Sequence, residues 1–378
     1  MNHYTAADFG HSPLMFYFEV TQACDLVCKH CRAEAQTDAR PGQLTTDQAR
    51  QLLDQVASFP KPPNLVLTGG DPLKRADLLT LIRHAHQLGL HIALTPSATP
   101  LATREAFQAV KEAGVARLGI SLDGADAATH DGFRGWAGSF ERTFQMLSDA
   151  RELGLPVQVN TTVTRRNQHQ LDRLADLLAQ QGIIMWAVFF LVPVGRGITE
   201  QRLDPQEYEV VFEQLFRLSQ SQPYAIKTTE APHYRRFVLQ RGGDPLAAPQ
   251  LSADPPAQMP GGATTAILPT TTIRPRHRAP LGVGDGKGIM FVSHLGEIYP
   301  SGFLPQLCGQ FPHDSVVEAY QRHPLFLALR DPNGFQGKCG ICDYRFDCGG
   351  SRARAFAVTG NPLAAEPDCD FLPAGWDV

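Results

Sequence analysis

Strand-like and helical patterns alternate through the first half of the chain, and this alternation most constrains how it can fold. Short apolar runs typical of buried strands are followed by segments with helical apolar spacing. The predicted strands are Leu14–Val20, Asn64–Thr68, His91–Thr95, Arg117–Leu122, Val157–Val163 and Ile184–Leu191. The predicted helices are Thr45–Phe59, Ala76–Leu88, Ala102–Ala113, Phe140–Leu153 and Gln168–Gln181. Six strands with a helix after most of them predict an α/β fold with parallel strands, either an open doubly wound sheet or a full or partial barrel.

The charge balance and the apolar segments argue against two classes of partner. Lys and Arg number 34 and Asp and Glu number 38, so the formal net charge is −4. A weakly acidic chain has no general tendency to bind nucleic acid or an anionic membrane. The N-terminal residues lack the basic and apolar regions of a signal peptide. The apolar run within Ile183–Val194 is shorter than the roughly 20 residues of a membrane helix, so we expect a cytoplasmic protein.

Seven of the eight cysteines fall into two groups. In a reducing compartment, clustered cysteines indicate metal or redox chemistry rather than disulfides. The first group, Cys24, Cys28 and Cys31, has C-x3-C-x2-C spacing directly after the first predicted strand. A zinc loop can share such spacing, but a structural zinc site takes four ligands. Three thiolates on a four-iron cluster instead leave one iron without a protein ligand.

Cys308 belongs to neither group, and we expect a buried free thiol there.

The segment CDLVCKHC resembles the signature of the radical S-adenosylmethionine (SAM) enzymes. The resemblance implies that Cys24, Cys28 and Cys31 hold a [4Fe-4S] cluster whose open iron is chelated by SAM. An electron from the cluster then cleaves SAM, and the resulting 5′-deoxyadenosyl radical abstracts hydrogen from a substrate. The residue before the last cysteine lies near the adenine in that family, and here it is His30. The resemblance also implies a partial (β/α)6 TIM-like barrel with a small C-terminal iron–sulfur domain.

A glycine-rich motif follows the second predicted strand. Its residues, Gly69, Gly70, Asp71 and Pro72, resemble the Gly-Gly-Glu-Pro motif of the same family, with Asp in place of Glu. The resemblance implies that this motif receives the amino group of SAM. Glycine lets a backbone approach a ligand closely, although Gly-Gly-Asp-Pro is also a strong turn sequence by itself.

Four more polar residues follow or lie on later strands. Ser121 and Asp123 resemble positions that contact the SAM ribose or carboxylate in related enzymes, although an Asp-Gly turn explains them equally well. Arg134 resembles a family arginine that pairs with a carboxylate, for which the guanidinium fork has the right geometry. Asn160 lies on the fifth predicted strand, where alternate residues face inward. The resemblance implies that all four contact SAM.

The second cysteine group is Cys339-x2-Cys342-x5-Cys348, followed by Cys369. Four thiolates complete either an iron–sulfur cluster or a tetrahedral zinc site, and the spacing does not distinguish them. This tail resembles the SPASM/Twitch extension of radical SAM enzymes, which implies auxiliary iron–sulfur chemistry. Many extended versions have an earlier cysteine where this chain has Ser301, so we expect one auxiliary [4Fe-4S] cluster, not two.

Composition and motifs divide the chain into three predicted parts. Residues 1–225 form the radical SAM partial barrel, and residues 226–288 form a Pro/Gly-rich linker or lid. Residues 289–378 form the SPASM/Twitch auxiliary-cluster domain, which has too little apolar content for a large core of its own. Within it, Ile289–Val292 and Glu297–Tyr299 flank a turn and predict a β-hairpin.

Within the superfamily, the resemblance is greatest to enzymes that modify haem precursors. It lies in Val188–Gly197, in the segment GGSRARAF after Cys348, and in the spacing of the tail cysteines. That branch acts on acetate or propionate side chains of tetrapyrroles, which implies such a substrate. An electron donor of the reductase, flavodoxin or ferredoxin type is implied as well.

Basic residues in candidate loops offer modest support, because arginine is a preferred carboxylate partner. Most such charges are nevertheless solvated surface. The basic residues considered are Arg165, Arg166, His233, Arg235, Arg236, Arg274, Arg276, His277 and Arg278.

Two other classes of function stay open from the sequence. Peptide-modifying maturases share this tail and also abstract hydrogen, but they usually carry an extra N-terminal domain that binds a leader peptide. A first strand near Leu14 leaves no room for such a domain, although a separate recognition protein could replace it. A non-catalytic, zinc-stapled binding module is the second class, and it predicts a protein without iron. Within radical chemistry, oxidation of another small molecule also stays open.

Overall fold

The computed structural model describes residues 4–246 and 282–376. The strands are β1 (Met15–Thr21), β2 (Asn64–Gly69), β3 (His91–Leu94), β4 (Val115–Ser121), β5 (Val157–Val163), β6 (Met185–Phe190), β7 (Ala225–Thr229), β8 (Ile289–Val292), β9 (Glu297–Tyr299) and β10 (Gly309–Gln310). The helices are α1 (Thr46–Ala57), α2 (Leu78–Gln87), α3 (Arg104–Ala113), α4 (Ala127–Arg134), α5 (Ser139–Glu152), α6 (Leu171–Ala179), α7 (Pro205–Ser221), α8 (His233–Gln240), α9 (Val316–Arg322), α10 (Pro324–Arg330), α11 (Lys338–Ile341) and α12 (Arg352–Thr359). None of these helices is long and apolar enough to cross a membrane.

Seven parallel strands in sequential order form the larger part of one sheet. Each strand from β1 to β6 pairs with the next one along the chain, and a helix follows each strand. Within the described ranges, the sheet runs in the order β10-β9-β8-β1-β2-β3-β4-β5-β6-β7 and does not close on itself. A sequential parallel sheet with helical crossovers is a (β/α) barrel left open. The predicted α/β class and partial barrel are therefore confirmed.

The core lies between the outer face of the barrel strands and the helices. On β1 the alternate residues Phe16, Phe18 and Val20 have no exposed surface, because successive side chains of a strand point to opposite faces. Helix α1 begins after Thr45, whose hydroxyl accepts a hydrogen bond from the backbone N–H of Gln48. Its buried residues recur at the helical spacing predicted from the sequence, namely Ala49, Leu52, Leu53 and Val56.

The side chains on the inner face of the barrel strands are less buried than those on the outer face. We call the space that they surround the barrel lumen. Residues Tyr17, Gln158 and Asn160 alternate with the buried residues of β1 and β5, and they are half-buried. Lys227 at the centre of β7 is exposed, whereas its neighbour Ile226 is buried. The lumen is therefore lined by polar side chains that are not part of the hydrophobic core.

The predicted linker is partly wrong. Residues 226–229 belong instead to β7, which pairs in parallel with β6, and residues 233–240 form α8. The central lysine of β7 interrupts the apolar pattern, and α8 has only eight residues, so neither gave a strong periodic signal. Residues 247–281 of the predicted linker lie outside the described residues.

The predicted hairpin is confirmed, with strands β8 and β9 paired antiparallel. Strand β8 also pairs in parallel with β1, where Met15 is opposite Ile289 and Phe18 is opposite Val292. The C-terminal part of the chain thus extends the barrel sheet beyond β1. The domain boundaries predicted from the sequence stay a prediction.

Candidate active site and auxiliary cysteine site

The first cysteine group lies in the loop that follows β1. Cys24 and Cys28 are buried and Cys31 is half-buried. Two sulfur atoms lie near backbone amides, since the N–H of Leu26 is 3.4 Å from Cys24 Sγ and the N–H of Ala35 is 3.5 Å from Cys31 Sγ. Burial raises the pKa of Cys24 to about 11 and also raises the pKa of Cys28. These thiols therefore need a bound cation to stay ionised.

An arginine that sequence reasoning did not identify holds this loop in shape. Arg196 donates from Nε to the carbonyl of Cys28 at 2.8 Å and from Nη1 to that of Ala35 at 3.0 Å. Its backbone N–H donates to the carbonyl of Cys31 at 3.1 Å. The preceding Gly195 has φ +54, and a Cβ there would lie 2.6 Å from the same carbonyl. The only sequence signal was the Gly-Arg-Gly run after β6.

The Gly69–Pro72 motif is hydrogen-bonded to the start of the cysteine loop. The backbone N–H of Gly70 donates to Thr21 O at 2.9 Å, and that of Asp71 donates to Ala23 O at 2.7 Å. A Cβ on Gly69 would lie 2.2 Å from Thr21 O, and one on Gly70 would lie 2.5 Å from Ala23 O. Glycine is required at both positions because the two loops touch through their backbones.

The carboxylate of Asp71 is fully buried and already has partners. It accepts hydrogen bonds from the Thr99 hydroxyl at 2.7 Å and from the backbone N–H of Leu73 at 3.1 Å. Burial raises its pKa above the ordinary value. The side chain therefore shapes the turn that presents Gly69 and Gly70. Its predicted contact with SAM stays a prediction.

Asp123, Arg134 and His30 lie together beside the cysteine loop. Asp123 follows β4 with no exposed surface, and its Oδ2 is 2.5 Å from Arg134 Nη2 and 3.8 Å from His30 Nε2. Burial by itself raises the pKa of Asp123, but the charge of Arg134 outweighs it and holds the pKa below the ordinary value. Arg134 Nη1 also lies 3.8 Å from Cys28 Sγ. Arg134 is thus paired with Asp123 in this structure. The predicted contacts of Asp123 and Arg134 with SAM stay predictions.

His30 presents a neutral aromatic ring at this site. Its centroid is 4.2 Å from that of Phe133, and burial lowers its pKa to about 4. Its Nδ1 is buried without a hydrogen-bond partner among the described residues. A buried nitrogen without a partner fits a site built to receive a polar heterocycle.

Ser121 and Asn160 lie opposite each other on β4 and β5. Both are half-buried, and the Asn160 side-chain carbonyl accepts a hydrogen bond from Gln158 Nε2 at 2.7 Å. They belong to the lumen, as the alternation of β5 predicted. Their proposed contact with SAM stays a prediction.

The structure brings the four tail cysteines together around one cavity. Cys339, Cys342, Cys348 and Cys369 all line it. The backbone N–H of Glu366 is 3.3 Å from Cys339 Sγ, and that of Gly350 is 3.4 Å from Cys348 Sγ. Four thiols around one cavity, with amides directed at the sulfurs, fit an iron–sulfur cluster.

Two other residues singled out in the sequence lie elsewhere. Cys308 is buried in the main hydrophobic core, where burial raises its pKa to about 12. Ser301 is buried, and its hydroxyl accepts a hydrogen bond from the backbone N–H of Phe303. Among the described residues, no group of three or more His, Cys, Asp or Glu side chains is arranged to hold a single metal ion.

A buried arginine attaches the tail to the barrel. Arg354 donates from Nε to Glu366 Oε1 at 2.8 Å and from Nη2 to the carbonyl of Glu230, just after β7, at 2.5 Å. Burial raises the pKa of Glu366, but the charge of Arg354 reverses the effect and lowers it to about 2. The segment GGSRARAF therefore places the tail cysteines near the carboxyl end of β7.

Most of the predicted substrate-binding basic residues have partners within the protein. Arg165 pairs with Glu207 at 2.8 Å, Arg166 pairs with Glu200 at 3.2 Å, and Arg236 pairs with Glu209. Arg235 donates to backbone carbonyls. Arg165 and Arg166 lie at the surface, as most such charges do, whereas Arg236 is buried. His233 lines the cavity of the tail cysteines, and residues 274–278 lie outside the described residues.

Comparisons with known proteins agree with this arrangement. Residues 18–178 match the Radical SAM superfamily. The chain is 36% identical over 363 residues to an AdoMet-dependent heme synthase of Methanosarcina barkeri, covering 96% of this chain and 98% of the relative. It is 38% identical over 373 residues to an AdoMet-dependent heme synthase of Nitratidesulfovibrio vulgaris, covering 98% and 95%.

A solved structure supports the fold. The crystal structure of Streptococcus suis SuiB bound to S-adenosylmethionine superposes with a TM-score of 0.67 and 14% identity, covering 96% of this chain and 78% of that one. That likeness concerns the fold alone. The cysteine loop, the strand order and the full-length relatives together show that this chain is an enzyme of the radical SAM superfamily, whose members bind SAM and a [4Fe-4S] cluster.

Proposed function

We propose that this enzyme uses radical SAM chemistry to modify a carboxylate side chain of a tetrapyrrole in haem synthesis. The observation that carries the proposal is the identity of 36–38% with two heme synthases along nearly the whole chain. Such a match includes the tail and the lumen as well as the cysteine loop. It therefore supports a shared substrate class and not only a shared cofactor.

In this proposal, Cys24, Cys28 and Cys31 hold the cluster that binds SAM. When bound, the cluster and SAM supply the 5′-deoxyadenosyl radical. The chain positions SAM with the backbone of the Gly69–Pro72 motif and with the aromatic face of His30. Asp123 and Arg134 form a buried ion pair that fixes the wall next to Cys28, and Ser121 and Asn160 complete the site on the lumen side.

The lumen contains a cation suited to a substrate carboxylate. Within the described residues, Lys227 has no ion-pair or hydrogen-bond partner. The Lys227 side chain is exposed, yet burial by the surrounding protein and the charge of Arg117 lower its pKa to about 8. The exposure and the lowered pKa are compatible when the ammonium group extends into an open cavity whose walls displace much of the bulk water. At neutral pH Lys227 is still protonated and can bind a carboxylate.

Lys227 is also well placed relative to the proposed SAM contacts. It is opposite Ala187 in the register of β6 and β7, and Ala187 is opposite Asn160. Asn160 is in turn opposite Ser121. A carboxylate held by Lys227 would therefore lie in the same band of the lumen as Ser121 and Asn160.

The tail cysteines Cys339, Cys342, Cys348 and Cys369 are proposed to hold one auxiliary [4Fe-4S] cluster. Such a cluster supplies a site for one electron. The four thiols around one cavity and the amides near the sulfurs support this assignment.

An external reductase, flavodoxin or ferredoxin would supply electrons to the first cluster. All eight cysteines are free, which supports a reducing, cytoplasmic location.

The test is anaerobic reconstitution followed by an assay with SAM, a strong reductant and carboxylated tetrapyrroles. We expect roughly eight iron atoms per chain, four for each cluster, and formation of 5′-deoxyadenosine together with a tetrapyrrole altered at its carboxylate side chains. Replacing Cys24, Cys28 or Cys31 with Ala should abolish SAM cleavage. Cys308→Ser is the matched control, because that thiol is buried in the core, and it should keep both iron and activity.

The alternatives predict different outcomes of the same assay. Acceleration of SAM cleavage by a peptide but by no tetrapyrrole would contradict the proposed substrate while leaving the radical chemistry intact. Bound zinc without iron after reconstitution, and no SAM cleavage, would contradict the assignment of both clusters.

A further inference from the structure

Helix α8 presents buried nitrogen atoms to the cavity of the tail cysteines. His233 and Arg236 lie three residues apart, on one face of the helix, and both line that cavity. His233 is 1% exposed and Arg236 is 4% exposed. This helix has no part in the proposed SAM site.

Three side-chain nitrogen atoms of these two residues lack hydrogen-bond partners among the described residues. Neither Nδ1 nor Nε2 of His233 has a hydrogen-bond partner among the described residues, and the same holds for Nε of Arg236. Buried polar groups are almost always hydrogen-bonded, and leaving one unpaired costs roughly 1–3 kcal/mol. An imidazole donates from at least one ring nitrogen, so His233 and Nε of Arg236 leave two buried donors without an acceptor in the described part of the chain. Two such donors on residues that line one cavity indicate an occupant that accepts hydrogen bonds.

The surroundings of His233 explain why its ring faces the cavity. The ring stacks on Tyr208 with centroids 5.0 Å apart and packs edge-on against Phe212 at 4.9 Å. Aromatic contacts therefore fix the plane of the ring, but neither contact supplies a hydrogen bond. The terminal nitrogens of Arg236 bind Glu209 and the side chain of Gln240, so only its Nε is left without a partner within the described ranges.

The four thiols that line the same cavity identify the class of occupant. We infer that His233 donates a hydrogen bond from its imidazole to the auxiliary iron–sulfur cluster and thereby raises the reduction potential of that cluster, with Arg236 as a second donor. This inference rests on the proposed auxiliary cluster. Cluster sulfurs are anionic acceptors, and donors to them favour the more negative, reduced state. His233 is a positioning and tuning residue here and not a ligand, since four cysteines complete the ligand set.

The test measures the auxiliary cluster by itself. In a full-length variant with Cys24, Cys28 and Cys31 all replaced by Ala, only the auxiliary cluster can form, and its midpoint potential can be titrated by electron paramagnetic resonance. In that background His233→Phe keeps an aromatic ring between Tyr208 and Phe212 but removes the donor. We expect it to lower the reduction equilibrium constant roughly tenfold, which corresponds to about 59 mV for one electron.

Two further variants separate the hydrogen bond from packing. His233→Gln keeps an N–H donor and is expected to hold the parent potential, whereas Phe212→Leu disturbs the same aromatic packing without removing a donor and should leave the potential unchanged. An exchangeable-proton coupling to the reduced cluster, measured by electron nuclear double resonance, should vanish in His233→Phe. If His233→Phe cannot hold iron, retention of iron at the parent potential in His233→Gln supports the inference.

Other outcomes overturn it. A parent-like potential and an unchanged proton coupling in His233→Phe would show that the ring is only a packing element. The inference also fails if His233→Gln loses potential or iron as His233→Phe does. Absence of iron from the background variant itself, before any change at His233, would instead contradict the proposed auxiliary cluster.

Discussion

At the scale of single residues, the wall beside the cysteine loop depends on a buried ion pair. Asp123 has no exposed surface, and Arg134 is its charged partner at 2.5 Å. Removing one member of a buried pair leaves the other charge without compensation. The same residues therefore determine both local stability and the environment of Cys28.

We predict that Arg134→Gln lowers the free energy of unfolding by about 3–5 kcal/mol and weakens SAM binding. The measurements are urea denaturation and calorimetric titration of SAM. Arg104→Gln is the control, because Arg104 pairs with Glu152 on the exposed surface, where such a pair contributes less than about 1 kcal/mol. Equal stability losses in the two variants would contradict the importance of the buried pair.

The lumen residue Lys227 gives a prediction about substrate affinity. Lys227→Met should raise the KM for a tetrapyrrole roughly tenfold, since a hydrogen bond to a charged group contributes roughly 1.5–3 kcal/mol. The rate of SAM cleavage without substrate should stay unchanged. Lys227→Arg keeps the charge and is expected to restore most of the affinity. An unchanged KM in Lys227→Met would remove Lys227 from the substrate site.

The same residue predicts a pH dependence. Because the pKa of Lys227 is lowered to about 8, its charge is present below pH 8 and is lost as the pH rises through that value. Tetrapyrrole affinity should therefore fall above about pH 8 in the parent enzyme. In Lys227→Arg it should persist to higher pH. The measurement is the KM as a function of pH, and identical profiles for the two proteins would contradict the assignment.

Motifs made part of the site predictable from the sequence. The cysteines, the glycine motif, His30, Asp123 and Arg134 occur in short segments of recognisable spacing, and the structure brings them together. The roles of Lys227 and Arg196 were not predictable, because each is one basic residue whose role depends on distant chain segments. The pairing of Asp123 with Arg134 was likewise invisible until the folded chain placed α4 against the cysteine loop.

At the scale of elements, the turn after β2 and the loop after β1 touch through their backbones. We predict that Gly70→Ala displaces the cysteine loop, because its Cβ would lie 2.5 Å from a backbone oxygen. The variant should lose the first cluster and retain the auxiliary one, so roughly four of eight irons remain. Gly132→Ala is the control, since a Cβ there meets nothing within 4 Å. Full iron content in Gly70→Ala would contradict the predicted clash.

Elements with strong periodicity were predicted well, and short or interrupted ones were not. The six predicted strands overlap β1–β6, because each has apolar residues at its buried positions, either in a continuous run or at every second position. Strand β7 carries a lysine at its centre, and α8 is short, so composition placed both in the linker. The parallel pairing of β8 with β1 joins residues far apart in sequence, and local patterns carry no information about such pairing.

At the scale of the whole molecule, both cysteine groups lie at the carboxyl edge of one barrel. The first follows β1, and the tail is attached by Arg354 near the end of β7. Chemistry in (β/α) barrels is located at this edge because the loops there project from a rigid sheet. The lumen between the two groups contains Lys227 and is the proposed position of the substrate.

The central claim is that a radical formed at the first cysteine group takes hydrogen from a carboxylate-bearing side chain of a tetrapyrrole. The most direct measurement is deuterium transfer. The reconstituted enzyme is incubated anaerobically with SAM, a reductant and a tetrapyrrole deuterated on those side chains, and the 5′-deoxyadenosine is analysed by mass spectrometry. We predict that 5′-deoxyadenosine acquires deuterium as the tetrapyrrole is altered. Unlabelled 5′-deoxyadenosine with an intact tetrapyrrole would contradict the account.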